Sequence, residues 1–265
     1  MRKHELIWGG KAIPVAIRDL LSICFGKQKE KYKNLEAFKD IHKGERCFFI
    51  GTGPSLLIED VELLKDEKVF LCNYGIALCK KLSYRPDYYM IVDPTCYQDI
   101  QEHMDMELVK TPIVVDMIDF KGGINELHDN ENWIHLPGYR AFFYIERALK
   151  RKWSFSKNVA KYVFSGGSVI YFCYQLAIYM GFSEIHLLGM DCDYGKNQVH
   201  FMSVNDKTDK KLKMNAEWYN NNFLKMHECA KYNCDKNHVA VYNLTNGGNL
   251  EIFERKLLKE VLKSE

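Results

Sequence analysis

The sequence predicts an α/β fold: a Rossmann-like, mostly parallel sheet with helices on both faces, carrying a helical insertion and a lid. Three observations lead there. A short apolar run, residues 47–50, stops at Gly51-Thr52-Gly53-Pro54-Ser55 before a helical stretch, which is the pattern of a buried strand closed by a glycine turn. Further apolar runs alternate with helical stretches at the spacing of strand-helix-strand units. Gly53, Asn73 and Asp93 end three successive strands at twenty-residue intervals, and the carboxyl ends of parallel strands are where ligands gather.

Taken in order, a basic leader comes first. From Ile13 to Phe25 the apolar positions 13, 17, 20, 21, 24 and 25 recur at helical spacing, with Arg18, Asp19 and Ser22 on the other face and Pro14 in a first turn. A lysine-rich run, Lys27 to Lys33, follows. Up to residue 43 there are ten Lys/Arg against five acids, a net +5 in a chain of net +2, which leaves −3 for the rest. This leader, residues 1–43, either docks on the domain with a solvated linker behind it, or lies through residues 1–33 on an anionic membrane surface.

Residues 44–265 then form the Rossmann-like domain. Helices are expected at 57–64 and 76–82, and strands at 69–72, 88–92 and 113–115. The aromatic and basic stretch 133–164 is expected to be a helical insertion with its aromatics in the core. Phe164-Ser165-Gly166-Gly167-Ser168 opens a helix running to Met180, Gly181 caps it, and a strand at 184–188 follows. The polar, aperiodic stretch at about 196–216 suits a lid. A helix at 216–232, a strand at 239–242 and a C-terminal helix at 251–262 complete the chain.

Composition narrows the class. At 265 residues, 47% hydrophobic and 27% charged, the chain is long enough for a substantial core and is not disordered. The nine cysteines form no C-x-x-C and sit mostly in apolar runs, so they are expected as reduced core residues rather than a disulfide framework or zinc site. The longest apolar run, 169–180, is broken by Gln175 and falls short of the roughly 20 residues that span a bilayer. No uninterrupted apolar stretch follows Met1-Arg2-Lys3, so no signal peptide is expected. A cytoplasmic protein, peripheral on the inner face of the bacterial cell membrane, fits these features. Interleaved aromatic and basic residues can stack bases, but the domain lacks the strong positive charge of a nucleic-acid binder.

Several residues carry candidate chemistry. The turn Gly51, Thr52, Gly53, Pro54, Ser55 lacks the third glycine of a dinucleotide fingerprint and the Lys-Ser/Thr of a P-loop, yet a turn leading into a helix favours an anion. Ser165, Gly166, Gly167 and Ser168 start a second such helix. Asp191, Cys192, Asp193 and Tyr194 bring two carboxylates and a phenol to the same sheet edge, as Asn246 and Gly247 do for the last strand. Asp191-Cys192-Asp193 spells a D-x-D, which can hold Mg²⁺ or Mn²⁺ as hard oxygen ligands. His200 is the candidate general base, with His227 as substitute, because imidazole exchanges protons near neutral pH.

This ordered set, G-x-G-P-S-L, a strand ending in Asn, P-D before a strand ending in Asp, S-G-G-S, G-M-D and T-N-G-G, resembles the MptE-like family, which includes archaeal hydroxymethylpterin diphosphokinase and the core of motility accessory factors. It is also similar to the bacterial sialyltransferases of glycosyltransferase family 42. The resemblance covers about residues 43–262. It implies a CMP-activated nonulosonic acid donor, a glycan or lipid-linked glycan acceptor, a lid, a histidine base and no required cofactor, with Mg²⁺ left open. Gly51, Thr52, Gly53 and Ser55 would hold phosphate or ribose, Asn73 would touch the donor, residues 165–168 would receive a carboxylate or phosphate, and Asp191 would lie near the cytidine. Thr52 departs from the family's asparagine. Where the sialyltransferase base is sought stands a position close to Asn220, whereas His200 matches the MptE-like group. Two other classes compete: a Mg²⁺-dependent pyrophosphokinase using Asp93, Asp191 and Asp193, and a non-catalytic nucleotide-binding partner in polysaccharide assembly. A homo-oligomer is compatible with each.

Overall fold

The computed structural model of the chain describes residues 3–25, 30–100, 105–118, 124–125, 133–139, 141–148, 153–194 and 214–263. Strand β1 (Arg46–Ile50) is paired in parallel with β2 (Lys68–Cys72) on one side and with β8 (Glu184–Leu188) on the other. Beyond β2 the sheet continues through β3 (Tyr88–Ile91), β4 (Thr111–Ile118), β6 (Ile134–Tyr139) and β7 (Val163–Phe164). Beyond β8 it continues through β9 (Ala240–Asn243) and β10 (Glu254–Arg255). These neighbours are all parallel, and only β5 (Ile124–Asn125), set against the end of β4, runs antiparallel.

Successive residues of a strand point to opposite faces, so a parallel sheet buried on both sides divides its apolar residues between two cores. Phe49, Phe70, Met90 and Leu187 belong to one; Phe48, Leu71, Tyr89 and Leu188 belong to the other. The first core is covered by α5 (Val169–Tyr179) and α6 (Ala216–Lys236) through Phe172, Tyr174, Met226 and Ala230. The second is covered by α2 (Ile58–Glu62), a 3-10 helix (Asn73–Lys81), α3 (Pro94–Ile100) and α7 (Leu258–Val261). The expected α/β class is therefore the observed one. The nine cysteines are free thiols, seven of them buried.

Three expectations change. The stretch 133–164 is not a purely helical insertion: it supplies β6 and β7 to the sheet around α4 (Ala141–Ala148). Pro137 and Gly138 argue against a strand, but β7 pairs with β6 only at Gly138 and Tyr139, so Pro137 sits where one side of β6 is an edge and a missing donor is tolerated. The C-terminal segment is a short strand, β10, before the helix α7. Residues 30–44 are woven into the domain rather than spaced from it: Tyr32 and Leu35 are buried, and the Tyr32 hydroxyl donates to Asp116 at 3.0 Å. Asp116, itself fully buried, also bonds His135 Nδ1 at 3.0 Å. Helix α1 (Lys3–Phe25) packs on α4 through its small residues, Ala12 and Ala16 against Ala141, while Ile13, Ile17, Leu20, Leu21 and Phe25 face away.

Gln175 explains why a polar residue interrupts an otherwise apolar α5. Its Oε1 accepts the backbone N–H groups of Ser156 (3.0 Å) and Phe164 (2.9 Å), and its Nε2 donates to the carbonyls of Phe164 and Tyr171, both at 2.9 Å. Both acceptor sites and both donors are used, so this one side chain clasps edge strand β7 to α5. Gln175→Leu preserves the volume but strands two buried N–H groups, and is expected to destabilise the fold by about 3 kcal/mol or more, measured by urea unfolding.

Candidate functional site

Along β1, β2, β3 and β4 the chain steps outward in one direction, and with β8 it returns to the other side of β1. The loops leaving β1 and β8 consequently diverge from adjacent strands, which opens a crevice at their carboxyl ends. Residues 51–56 and 189–194 occupy this switch point, and they interlock. Gly51 N–H donates to the Leu188 carbonyl at 2.7 Å and Gly53 N–H to the Gly189 carbonyl at 2.9 Å. Ser55 Oγ donates to Asp191 Oδ2 at 2.8 Å. A Cβ on Gly53 would collide with the Asp191 carboxylate, and one on Gly51 with the Gly189 carbonyl. Here glycine is required by close approach between two loops.

The β8 loop is held from the opposite side by the loop after β9. Met190 N–H donates to Thr245 Oγ1 at 2.9 Å, and Asn249 N–H to the Asp191 carbonyl at 2.7 Å. Gly248, at φ +74°, lies against the Asp191 backbone. Thr245 and Gly248 thus brace the site, whereas the neighbouring pair named from the sequence, Asn246 and Gly247, is exposed. The T-N-G-G motif pointed to the right turn but not to the residues within it that touch Asp191.

Two further groups reach the same edge. Asn73, directly after β2, holds φ +47°, and its buried Oδ1 has no hydrogen-bond partner. A left-handed backbone and an orphaned amide oxygen together cost free energy unless something else is served. Helix α5 runs antiparallel to the strands it joins, and Cys173 in its second turn lies 3.4 Å from the Sγ of Cys72, the last residue of β2. The first turn of α5 therefore projects past the strand ends beside Asn73. Ser168 is its N-cap and makes no side-chain cap bond, which leaves the first amides open to an anion. Ser165 is buried and its Oγ accepts Gly167 N–H at 3.2 Å. Gly166 lacks a side chain because the Tyr171 ring fills that space.

Asp93, after β3, is exposed; its carboxylate accepts the Cys96 N–H at 3.3 Å and caps α3. Over this end of the rim leans the start of α6, with features not evident from the sequence. Tyr194 N–H donates to Asn220 Oδ1 at 3.0 Å, and the Tyr194 ring packs on Tyr219 and Phe223 with centroids 5.6 and 5.1 Å away. Burial first, and then the Asp93 carboxylate, push the Tyr219 phenol up. Burial does the same to Tyr194. Both phenols stay protonated near neutral pH and can donate to an anion.

His227 lies elsewhere: it is buried in α6, 3.2 Å from the Tyr174 hydroxyl and edge-on to Phe253. Desolvation lowers its pKa to about 3, so it sits as a neutral ring in the core. His200 and most of the expected lid fall outside the described residues. Among the described residues no group of three or more His, Cys, Asp or Glu is placed to share a metal ion.

The family profile described as "6-hydroxymethylpterin diphosphokinase MptE-like" matches residues 25–197. No curated protein matches the chain. Among solved structures, the MAf glycosyltransferase from Magnetospirillum magneticum AMB-1 is similar at 15% identity and TM-score 0.49, covering 87% of this chain and 38% of that one, so this chain spans well under half of its length. A sialyltransferase Cst-II in complex with CMP is similar at 17% identity and TM-score 0.43, covering 79% of this chain and 85% of that one. The monofunctional α-2,3-sialyltransferase Cst-I from Campylobacter jejuni is similar at 15% identity and TM-score 0.43, covering 80% and 79%.

Gly51→Ala forces the β1 loop off the Gly189 carbonyl and is expected to cost about 2 kcal/mol or more, measured by chemical denaturation. Acid lability follows from the buried histidines. The pKa of His227 is lowered to about 3 and that of His186 to about 4, desolvation leading in both, against 6.5 unfolded. Below pH 6.5 the unfolded chain takes up protons that the folded one refuses, so stability is expected to fall as pH drops from 6.5 towards 4. The slope is up to about 1.4 kcal/mol per pH unit for each histidine. His227→Gln should flatten the decline in a series of denaturation curves against pH.

Proposed function

The chain belongs to the MptE-like family, and we propose that within it this chain is a glycosyltransferase. In this reading it moves a nonulosonic acid-type sugar from a CMP-activated donor to a glycan acceptor at the cell surface by direct displacement. What supports the proposal is that the β1 turn and the β8 loop interlock at the carboxyl ends of the strands, the same sheet edge at which the orphaned Asn73 amide oxygen follows β2 and the uncapped α5 begins. Such an edge suits an anion, with a side-chain amide beside it to hydrogen-bond a ligand.

In this reading Gly51, Thr52, Gly53, Pro54 and Ser55 form the floor under the nucleotide, Asn73 contacts the donor, and Ser165, Gly166, Gly167 and Ser168 receive its phosphate or carboxylate. Asp191, Asn246 and Gly247 border the nucleoside, and Asp93 lines the far rim. His200 takes the proton of the acceptor hydroxyl as that oxygen bonds to the anomeric carbon. The bond from that carbon to the phosphate oxygen breaks, and its electron pair departs with CMP. Tyr194 and Tyr219, both protonated, are suited to donate to the departing phosphate. Asp193, next to Tyr194, would orient that loop.

The D-x-D reading loses support because the Asp191 carboxylate is already engaged: it is buried, accepts Ser55 Oγ and abuts Gly53. A carboxylate committed to holding two loops together is poorly placed to ligate a hard cation. The pyrophosphokinase alternative depends on that same group.

Thermal shift with CMP, CDP, UDP and ATP, each with and without Mg²⁺, tests the reading. Stabilisation by cytidine nucleotides without Mg²⁺ is expected, and Asn73→Gly, which removes the amide but accepts the φ of +47°, should weaken CMP binding about tenfold without a large loss in the melting temperature of the free protein. His200→Ala should abolish turnover and leave CMP binding intact. Mg²⁺-dependent stabilisation by ATP alone would favour the kinase and overturn the proposal, silence towards every nucleotide would overturn it as well, and nucleotide binding with no transfer from any activated sugar would favour the non-catalytic nucleotide-binding partner.

A further inference from the structure

Helix α1 is apolar on two opposite sides, and only one of them is used by the fold. Ala12 and Ala16 are buried against Ala141 of α4. On the outward side, Ile13, Ile17, Leu20 and Leu21 are about half exposed (49–56%) and Phe25 is 83% exposed. At 100° per residue these five positions form one continuous stripe along nearly the whole second half of the helix. Among the described residues eleven large apolar side chains are exposed, and five of them lie in this stripe. Isolated exposed leucines need no explanation, but a contiguous patch of this kind marks an interaction surface.

The charge of the leader that carries the stripe points to what covers it. The first 43 residues carry a net +5, and Lys33, Lys39 and Lys43, which follow the helix, are exposed. The charged positions on the helix itself do not break the stripe: Asp19 is buried and its Oδ1 is held by Arg18 at 2.7 Å. Two copies meeting stripe to stripe would bring two positive leaders together, which opposes association. A bilayer with anionic headgroups satisfies both features at once, taking apolar side chains below the headgroups and lysines among them. No described helix is long and apolar enough to cross the membrane, so such contact would be with its surface.

We propose that α1 is an interfacial helix that seats the protein on an anionic lipid surface through Ile13, Ile17, Leu20, Leu21 and Phe25, with the lysines after it contacting the headgroups. This inference stands on the leader alone and does not depend on glycosyl transfer.

Cosedimentation of the full chain with phosphatidylcholine vesicles, with and without phosphatidylglycerol, tests it. The protein is expected to bind the anionic vesicles at least about tenfold more tightly than the neutral ones and to be released by salt. Ile17→Glu with Leu21→Glu should abolish binding while leaving the melting temperature unchanged, since both positions face away from the fold. Lys31→Gln with Lys33→Gln, which leaves the apolar stripe intact, should weaken binding about tenfold. Three results would each overturn the proposal: no binding of the wild-type chain to anionic vesicles, binding undiminished by the Ile17 and Leu21 substitutions, or a wild-type dimer in sedimentation velocity that those substitutions split while vesicles are ignored.

Discussion

The loop after β1 and the loop after β8 hold each other, and the candidate site is built on that grip. Ser55 donates to Asp191, Gly53 donates to Gly189, and the absent side chains of Gly51 and Gly53 let the two backbones touch. These residues are separated by more than a hundred positions in the chain. They meet because β1 and β8 are hydrogen-bonded neighbours over their full length. The parallel topology fixes where the crevice opens, and the glycines fix how close its walls can come.

That grip divides the work among the polar residues. Asp191, which looks like a ligand from its motif, is an internal strut braced again by Asn249 and flanked by Gly248. Asn73 is the reverse: it contributes a carbonyl to the Tyr89 hydroxyl at 3.0 Å but keeps its own amide oxygen unpaired. A buried acceptor left open at a strand end is a cost to the fold, and binding a donor group is what would remove it. Beside these loops stands the start of α6, whose Tyr219 and Phe223 pack on Tyr194. The stretch immediately before α6 is the expected lid.

How legible this was depended on how local the cause is. Strand 184–188 agreed to the residue and the strands at 69–72, 88–92 and 113–115 were located, because each is a short apolar run bounded by glycine, proline or polar residues. Strands β6 and β7 were missed since their pairing partners, not their own residues, make them strands: Pro137 and a two-residue edge carry no periodic signal. The turns that form the site were visible as Gly51-Thr52-Gly53, Gly189-Met190-Asp191 and Gly247-Gly248, but which of their residues hold one another was not. The pairing of Ser55 with Asp191 is a tertiary fact. His227 shows the same limit, for its helical pattern hides that it is sealed under Tyr174 and Phe253. In α1 the apolar spacing from 13 to 25 marks the helix, but the helix begins at Lys3 and Pro14 lies inside it rather than in a first turn; the spacing leaves open which side meets the protein, and the small alanines do.

The most direct measurement is amide hydrogen exchange of the protein with and without CMP, followed by mass spectrometry. If the interlocked loops are a nucleotide floor, CMP should slow exchange together in residues 51–56, at Asn73, across 165–170 and across 189–194, while the β6 to β7 edge stays unchanged. Protection that falls elsewhere, or in one of these segments without the others, would contradict a shared crevice at the switch point.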